Sequence, residues 1–153
     1  MTKLAVKSIT DWEQLQGVDL GTSGYKTITQ EMINKFAEAT GDRQWIHIDT
    51  ARAQTDSPYK TTIAHGYLTL SLIPVLLEEL VIPENAKITI NYGIEELRFQ
   101  EPVPSGGRVR LKALIHDIKN LKGTLRVKLK VEMEIAGKRK PAFTGVVVLL
   151  YQY

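Results

Sequence analysis

Few residues in this chain can move a proton at neutral pH, because it has three histidines and no cysteine. His47 follows Asp42 by five residues. A carboxylate and an imidazole that converge on one point can hold a water molecule, one accepting its proton while the other orients the molecule or returns a proton. An offset of five residues is about 140° around a continuous helix, so the two side chains can converge only in a loop.

The segment before Asp42 is expected to be an amphipathic helix. Thr29 is a good N-cap residue. Apolar and small residues then recur at three- and four-residue spacing, namely Ile33, Phe36, Ala37 and Thr40. Gly41 is a natural C-terminal stop. We therefore predict a loop over residues 41–49 that carries both candidate side chains.

Two other interpretations of this pair stay open on the residues alone. Asp42 can cap or buttress its own loop while His47 hydrogen-bonds locally, which is the commoner role of such residues. Metal ligation would have to recruit Asp49, and these three residues lack a recognisable ligand pattern. We therefore expect no metal.

Gly66 is a further candidate, at the start of an apolar segment. The first N–H groups of a helix have no internal partner, so the N–H of Gly66 can stabilise an oxyanion, and a glycine lets a carbonyl approach closely. Alternatively, Gly66 merely relieves crowding where helix meets sheet. Of the other histidines, His65 is expected to bond to backbone and fix the helix start, and His116 to lie at the surface.

A buried helix and an antiparallel sheet are the elements expected to position these residues. Residues 65–80 are apolar on nearly every face, so this helix must be enclosed, and Pro74 should kink it. The third of the predicted strands alternates strictly between apolar and polar residues. The strands are expected over residues 87–99, 108–117, 124–135 and 142–151. Short turns join the last three, which should pair antiparallel, so the fold class is α+β.

Composition and charge narrow the class of protein. The 153 residues, 43% hydrophobic and 24% charged, suit one globular domain over residues 1–153, with its core from about residue 17. No apolar run reaches the roughly 20 residues of a membrane span, and residues 1–10 do not form a secretory signal. Together with the missing cysteines this favours the cytoplasm. We expect no membrane partner.

A basic stretch bears on the possible partners. Residues 106–140 hold eleven Lys or Arg against three acidic residues. Such a surface would suit the phosphates of a nucleic acid or of coenzyme A. The alternating pattern instead favours the solvated outer face of a sheet for most of these charges. We therefore expect no nucleic-acid partner.

Three segments, in order, resemble the MaoC-like (R)-specific enoyl-CoA hydratases. The family's hydratase-2 motif has an aromatic residue near a helix end, then Gly-Asp and a His five residues beyond the Asp, and it is similar to Phe36, Gly41, Asp42 and His47. The segment 62–72, with His65 and Gly66, resembles the second signature. The third is similar to Asn91-Tyr92-Gly93, Arg98-Phe99, Pro102-Val103 and Gly107. The resemblance covers nearly the whole chain from about Gly17.

The resemblance implies a hot-dog fold, in which a curved antiparallel sheet wraps a long central helix, and a homodimer. It implies that Asp42 and His47 hold the water that adds to a trans-2-enoyl-CoA, while the N–H of Gly66 polarises the thioester carbonyl. The product would be an (R)-3-hydroxyacyl-CoA, and no metal or organic cofactor is used. Gln44-Trp45 replaces the commoner Asn-Pro and resembles the nodulation-protein-N-like subgroup, which leaves the acyl-chain preference open.

Three competing functions share the predicted fold or ligand. Hot-dog thioesterases and acyl-carrier-protein dehydratases commonly place a carboxylate inside the central helix. Residues 70–73 of this chain are Leu, Ser, Leu and Ile, which disfavours both. A non-catalytic acyl-CoA-binding or partner subunit that has kept the motif stays open.

Overall fold

The computed structural model describes residues 3–153 as a series of short helices and long strands. The helices are α1 (Ile9–Glu13), α2 (Gln30–Thr40), α3 (Trp45–Ile48), α4 (Thr50–Asp56), α5 (Gly66–Ser71) and α6 (Ile73–Leu77). The strands are β1 (Leu4–Val6), β2 (Asp19–Thr22), β3 (Lys26–Thr27), β4 (Val81–Pro83), β5 (Ile88–Phe99), β6 (Arg108–Asn120), β7 (Thr124–Ile135) and β8 (Phe143–Gln152). Each long strand predicted from the sequence is present, and β7 has the predicted bounds.

An antiparallel sheet forms the larger layer. Its strands follow the order β2-β6-β7-β8-β5, and β3 also pairs with β6. The predicted antiparallel pairing of the last three strands is confirmed. The alternation in β7 sends one set of side chains into the core, namely Leu125, Val127, Leu129, Val131, Met133 and Ile135. The opposite face carries the polar residues of the strand.

The charges on that opposite face are partly paired across strands. Arg110 bonds to Glu134, and two further pairs join Arg126 to Asp117 and Lys128 to Glu95. This supports the interpretation of the basic stretch as a solvated sheet face. Partly exposed pairs of this kind contribute little to stability, since surface ion pairs are typically worth about 0–1 kcal/mol each.

Helix α2 begins and ends where its capping residues predict. The Thr29 hydroxyl accepts a hydrogen bond from the Met32 N–H at 3.2 Å, which satisfies one of the free donors of the first turn. Gly41 has φ of 82°, a left-handed conformation that a glycine adopts without strain. Ile33 and Ala37 are buried on the face turned to the core. The turn at Gly41 redirects the chain towards α5.

The helix predicted over residues 65–80 is partly wrong: the structure divides it into α5 and α6 at Leu72, two residues before the kink expected at Pro74, and ends it at Leu77. Pro74 lies in the first turn of α6, where its missing N–H costs nothing, whereas a continuous helix would lose a hydrogen bond there and crowd the carbonyl of Leu70. The predicted enclosure is also incomplete, since Tyr67 and Val75 are 67% and 48% exposed.

The inner sides of α5 and α6 nevertheless belong to the main core. Leu68, Leu72 and Leu76 pack in one apolar cluster with the inward side chains of the sheet. A small apolar cavity of about 100 Å³ lies beside α6, lined by Ile73, Leu77 and Leu149 among others. Within residues 3–153 no helix has both the length and the apolar character needed to cross a membrane.

The N-terminal segment forms elements that the sequence did not indicate. β1 pairs in parallel with β4. Trp12 of α1 is fully buried, stacks on Tyr151 with ring centroids 5.0 Å apart and donates its Nε1–H to the Tyr153 hydroxyl. This segment therefore covers one end of the core. It does so although it lies far along the chain from the residues it contacts.

Candidate active site

The structure brings Asp42, His47 and His65 together. One side-chain oxygen or nitrogen from each lies within 4.8 Å of the others. The predicted loop over residues 41–49 is partly wrong, because Trp45–Ile48 form the short helix α3. The offset between Asp42 and His47 therefore spans a loop followed by one helical turn, and the two side chains converge across that boundary.

One backbone contact fixes the imidazole of His47. Its Nδ1 lies 2.7 Å from the carbonyl oxygen of Ile63. Only a protonated nitrogen can donate to a carbonyl, so the neutral ring carries its proton on Nδ1 and keeps a lone pair on Nε2. His47 lines a pocket and is 8% exposed. The site thus holds an imidazole whose free nitrogen can accept a proton.

Burial and neighbouring groups set the charge of His47. Burial lowers its pKa from the ordinary value of 6.5, the hydrogen bond to Ile63 opposes that effect, and the His65 ring adds to it. The carboxylate of Asp42 acts in the raising direction. Because the largest effect is desolvation of the charged form, His47 is held neutral at pH 7 and available as a base.

A polar network holds α3 against the segment before α5. The Ile63 N–H donates to the Ile46 carbonyl at 3.1 Å. Gln30, in the first turn of α2, donates its amide to the His47 carbonyl at 2.7 Å and accepts from the hydroxyl of Thr62, which is 1% exposed. Buried polar groups satisfied in this way restrict the local geometry. The backbone of His47 is therefore held from two sides.

His65 is buried at 2% exposure and lies against both candidate groups. Its ring stacks on that of His47, with centroids 3.8 Å apart and planes inclined by 25°. Its Nε2 lies 3.0 Å from the backbone carbonyl of Asp42 and donates to it. The predicted bond from His65 to backbone is thus observed, although the partner is the Asp42 loop rather than the helix.

Gly66 begins α5 immediately after His65. Its N–H donates to no other residue that the structure describes, as expected for a first-turn position. A Cβ built on Gly66 would lie 2.9 Å from the ring of Phe99, so the aromatic ring packs directly on the glycine. The close packing on which the crowding interpretation depends is therefore present, and it leaves the N–H of Gly66 free.

A pocket of about 480 Å³ lies beside His47 and Gly66, which form part of its wall together with Tyr67, Phe99 and Pro102. Asp42 does not line this pocket, but one of its carboxylate oxygens lies within 4.8 Å of a ring nitrogen of His47. The remaining histidine, His116, is exposed on β6 as predicted. No pattern in the sequence indicated Gln30 and Thr62, because their roles depend on contacts between residues distant in the chain.

Comparison with known proteins assigns the family. A family model described as MaoC like domain matches residues 13–138. The 3-hydroxyacyl-thioester dehydratase Z of Mycobacterium tuberculosis is 40% identical over 146 residues, which are 95% of this chain and 96% of that protein. Nodulation protein N of Rhizobium meliloti is 38% identical over 148 residues, 95% and 92% of the two chains.

A solved structure agrees with this assignment. The (R)-hydratase from A. caviae involved in PHA biosynthesis has a TM-score of 0.71 at 26% identity, covering 88% of this chain and 94% of that chain. The predicted hot-dog fold is thereby confirmed. Fold and relatives together define an enzyme of the dehydratase and hydratase class. The chain belongs to the MaoC-like dehydratase family.

Proposed function

We propose that the enzyme hydrates trans-2-enoyl-CoA thioesters to (R)-3-hydroxyacyl-CoA and catalyses the reverse dehydration. One observation carries the proposal. A ring nitrogen of His47 and a carboxylate oxygen of Asp42 lie within 4.8 Å of each other, the bond to Ile63 leaves Nε2 of His47 free, and His47 lines the same pocket as Gly66. The (R) configuration rests on the similarity to the (R)-hydratase.

The reaction assigns a step to each group. The water oxygen, oriented by Asp42, attacks the β-carbon as Nε2 of His47 accepts one of its protons. The electron pair of the double bond moves towards the thioester carbonyl, whose oxygen gains negative charge. The N–H of Gly66 stabilises that charge. The protonated His47 then gives this proton to the α-carbon as the thioester carbonyl re-forms, so one water has been added and no redox change has occurred. No step requires a metal or an organic cofactor.

We propose that the enzyme works as a homodimer in the cytoplasm. β5 pairs only with β8, so its second edge is open among the described strands. Apolar side chains on it are exposed, namely Ile88, Ile90, Tyr92 and Ile94. An open edge of this length and character is a surface that proteins usually cover. A second copy that extends the sheet through β5 would cover it.

The test follows the enoyl-thioester absorbance during incubation with crotonyl-CoA and longer trans-2-enoyl-CoAs. Loss of absorbance in the presence of chelator, with an (R)-3-hydroxyacyl-CoA as product, is the expected result. Release of free CoA without hydration would identify a thioesterase instead. Binding without turnover at any chain length would favour the acyl-CoA-binding subunit.

A further inference from the structure

We propose that His65 is a positioning residue for the hydration, which holds the Asp42 loop and the His47 ring in one arrangement and keeps His47 ready to accept a proton. This inference rests on the proposed function. His65 does not line the pocket that would hold the substrate. Its influence would therefore pass through its two neighbours.

Buried His65 is connected to each of the three proposed catalytic groups. Its Nε2–H donates to the Asp42 carbonyl at 3.0 Å, which ties down the loop that carries the carboxylate. Its ring covers one face of His47 at 3.8 Å. Its own backbone immediately precedes Gly66, so the ring is attached to the start of α5. A shift of His65 would accordingly displace every group to which we assign a catalytic step.

The remaining nitrogen of His65, Nδ1, is buried and has no hydrogen-bond partner among residues 3–153. Nε2 carries the proton that is donated to the Asp42 carbonyl. The His65 ring also acts to lower the pKa of His47.

The groups around the two rings are few. Asp42 is the carboxylate beside them, and α2 presents the uncharged ring of Phe36 to His65 at 4.9 Å. The other ionisable side chains in the wall of the pocket are Tyr59, Tyr67 and Glu101. The ionisable side chains that shift the pKa of His47 are thus His65 and Asp42.

Two substitutions of His65 distinguish the effect of its hydrogen bond from the effect of its stacked ring. His65→Gln retains an N–H donor near the Nε2 position but removes the stacked ring, so water reaches His47 and the pKa of His47 should rise. His65→Phe retains the ring but removes the donor, so the pKa of His47 should stay low while the Asp42 loop loosens. Each variant should lower kcat by about tenfold to a hundredfold with little change in KM, because small misplacements are costly.

The experiment measures kcat and KM against pH for both variants, and titrates the His47 ring by NMR. His116→Gln is the matched control, because it removes an exposed histidine and should leave both profiles unchanged. The expected result is an acid limb and an NMR titration that move to higher pH in His65→Gln alone. Unchanged kcat and an unchanged titration of His47 in both variants would overturn the proposal, as would a loss of melting temperature with no shift of either profile.

Failure of the proposed function would look different. A parent enzyme that hydrates no enoyl-CoA would remove the kinetic readout. The NMR titration of His47 would still report whether His65 controls it.

Discussion

Nδ1 of His47 lies 2.7 Å from the carbonyl oxygen of Ile63, and this contact decides which nitrogen of the ring is free. Without it the proton could move to Nε2, and the ring would present a donor to the pocket. Ile63 is itself bonded to α3 through its N–H and the Ile46 carbonyl. The segment before α5 therefore orients the proposed base as well as supplying the proposed N–H of Gly66.

Asp42→Asn and His47→Asn should each lower kcat by about a hundredfold or more, the usual scale for acid–base groups. The first keeps the shape of the carboxylate. The second keeps a donor near Nδ1 for the Ile63 carbonyl and removes Nε2. If the two residues act on one water, the double variant should be little worse than the worse single variant. Additive losses in steady-state kinetics would contradict a shared water.

Melting temperature is the control for these variants. Asp42 is exposed, so Asp42→Asn should melt with the parent. His47 is buried and hydrogen-bonded, so His47→Gln, which misplaces the donor, should cost about 1–3 kcal/mol of stability while His47→Asn costs less. If Asp42→Asn melts far below the parent, its role is structural and our assignment is wrong.

Gly66→Ala should impair the enzyme although it retains the backbone N–H. The new methyl group would meet the Phe99 ring at 2.9 Å, so the ring or the start of α5 must move. We expect kcat/KM to fall by about tenfold, a modest share of what misplaced groups can cost. Phe99→Ala in the same chain removes the clash and should restore part of the loss. No recovery in the double variant would show that the clash is not the cause.

Both activity and stability should fall in acid because of His47. Burial places the pKa of His47 below 6.5 in the folded protein, whereas the unfolded chain takes up this proton at about that pH. Its contribution to stability is therefore complete above pH 6.5 and is lost as pH falls through the folded pKa. The acid limb of kcat/KM should lie below the same value.

Thermal melts of the parent and of His47→Asn across this range supply the check. The difference in melting temperature between them should change with pH below about 6.5, since the variant lacks the titrating ring. Parallel curves would mean that His47 is not the group responsible. Carboxylates titrate at lower pH in both proteins and cancel in the comparison.

Tyr92→Glu should weaken the proposed dimer. Tyr92 is 67% exposed on the open strand β5, and a charge there would be buried against a second copy. Leu121→Glu is a matched control, because Leu121 is also exposed but lies in the turn after β6. Sedimentation should give a monomer for the first variant and a dimer for the parent and the control. A parent that sediments as a monomer at micromolar concentration would exclude the dimer.

The parts of the fold that the sequence predicted depend on local or periodic signals. Thr29 and Gly41 bound α2 through contacts within one turn, and the alternation in β7 follows from one buried face. An irregularity was predicted at Pro74, but its position at Leu72 was not, because hydropathy does not show how the proline is accommodated. Gln30 and Thr62 were missed because their bond joins residues 32 positions apart and leaves no pattern. The resemblance, rather than spacing, singled out Asp42 and His47.

The break at Leu72 divides the central helical stretch into two short helices that contact different parts of the molecule. α5 carries Gly66 at one end, whereas α6 forms a wall of the small cavity on the far side of the break. A continuous helix would transmit a change of side-chain volume along its axis, but the interrupted one can absorb it at the junction. Ile73 and Leu77 are therefore positions at which directed evolution can reshape an apolar cavity while the start of α5 keeps its place.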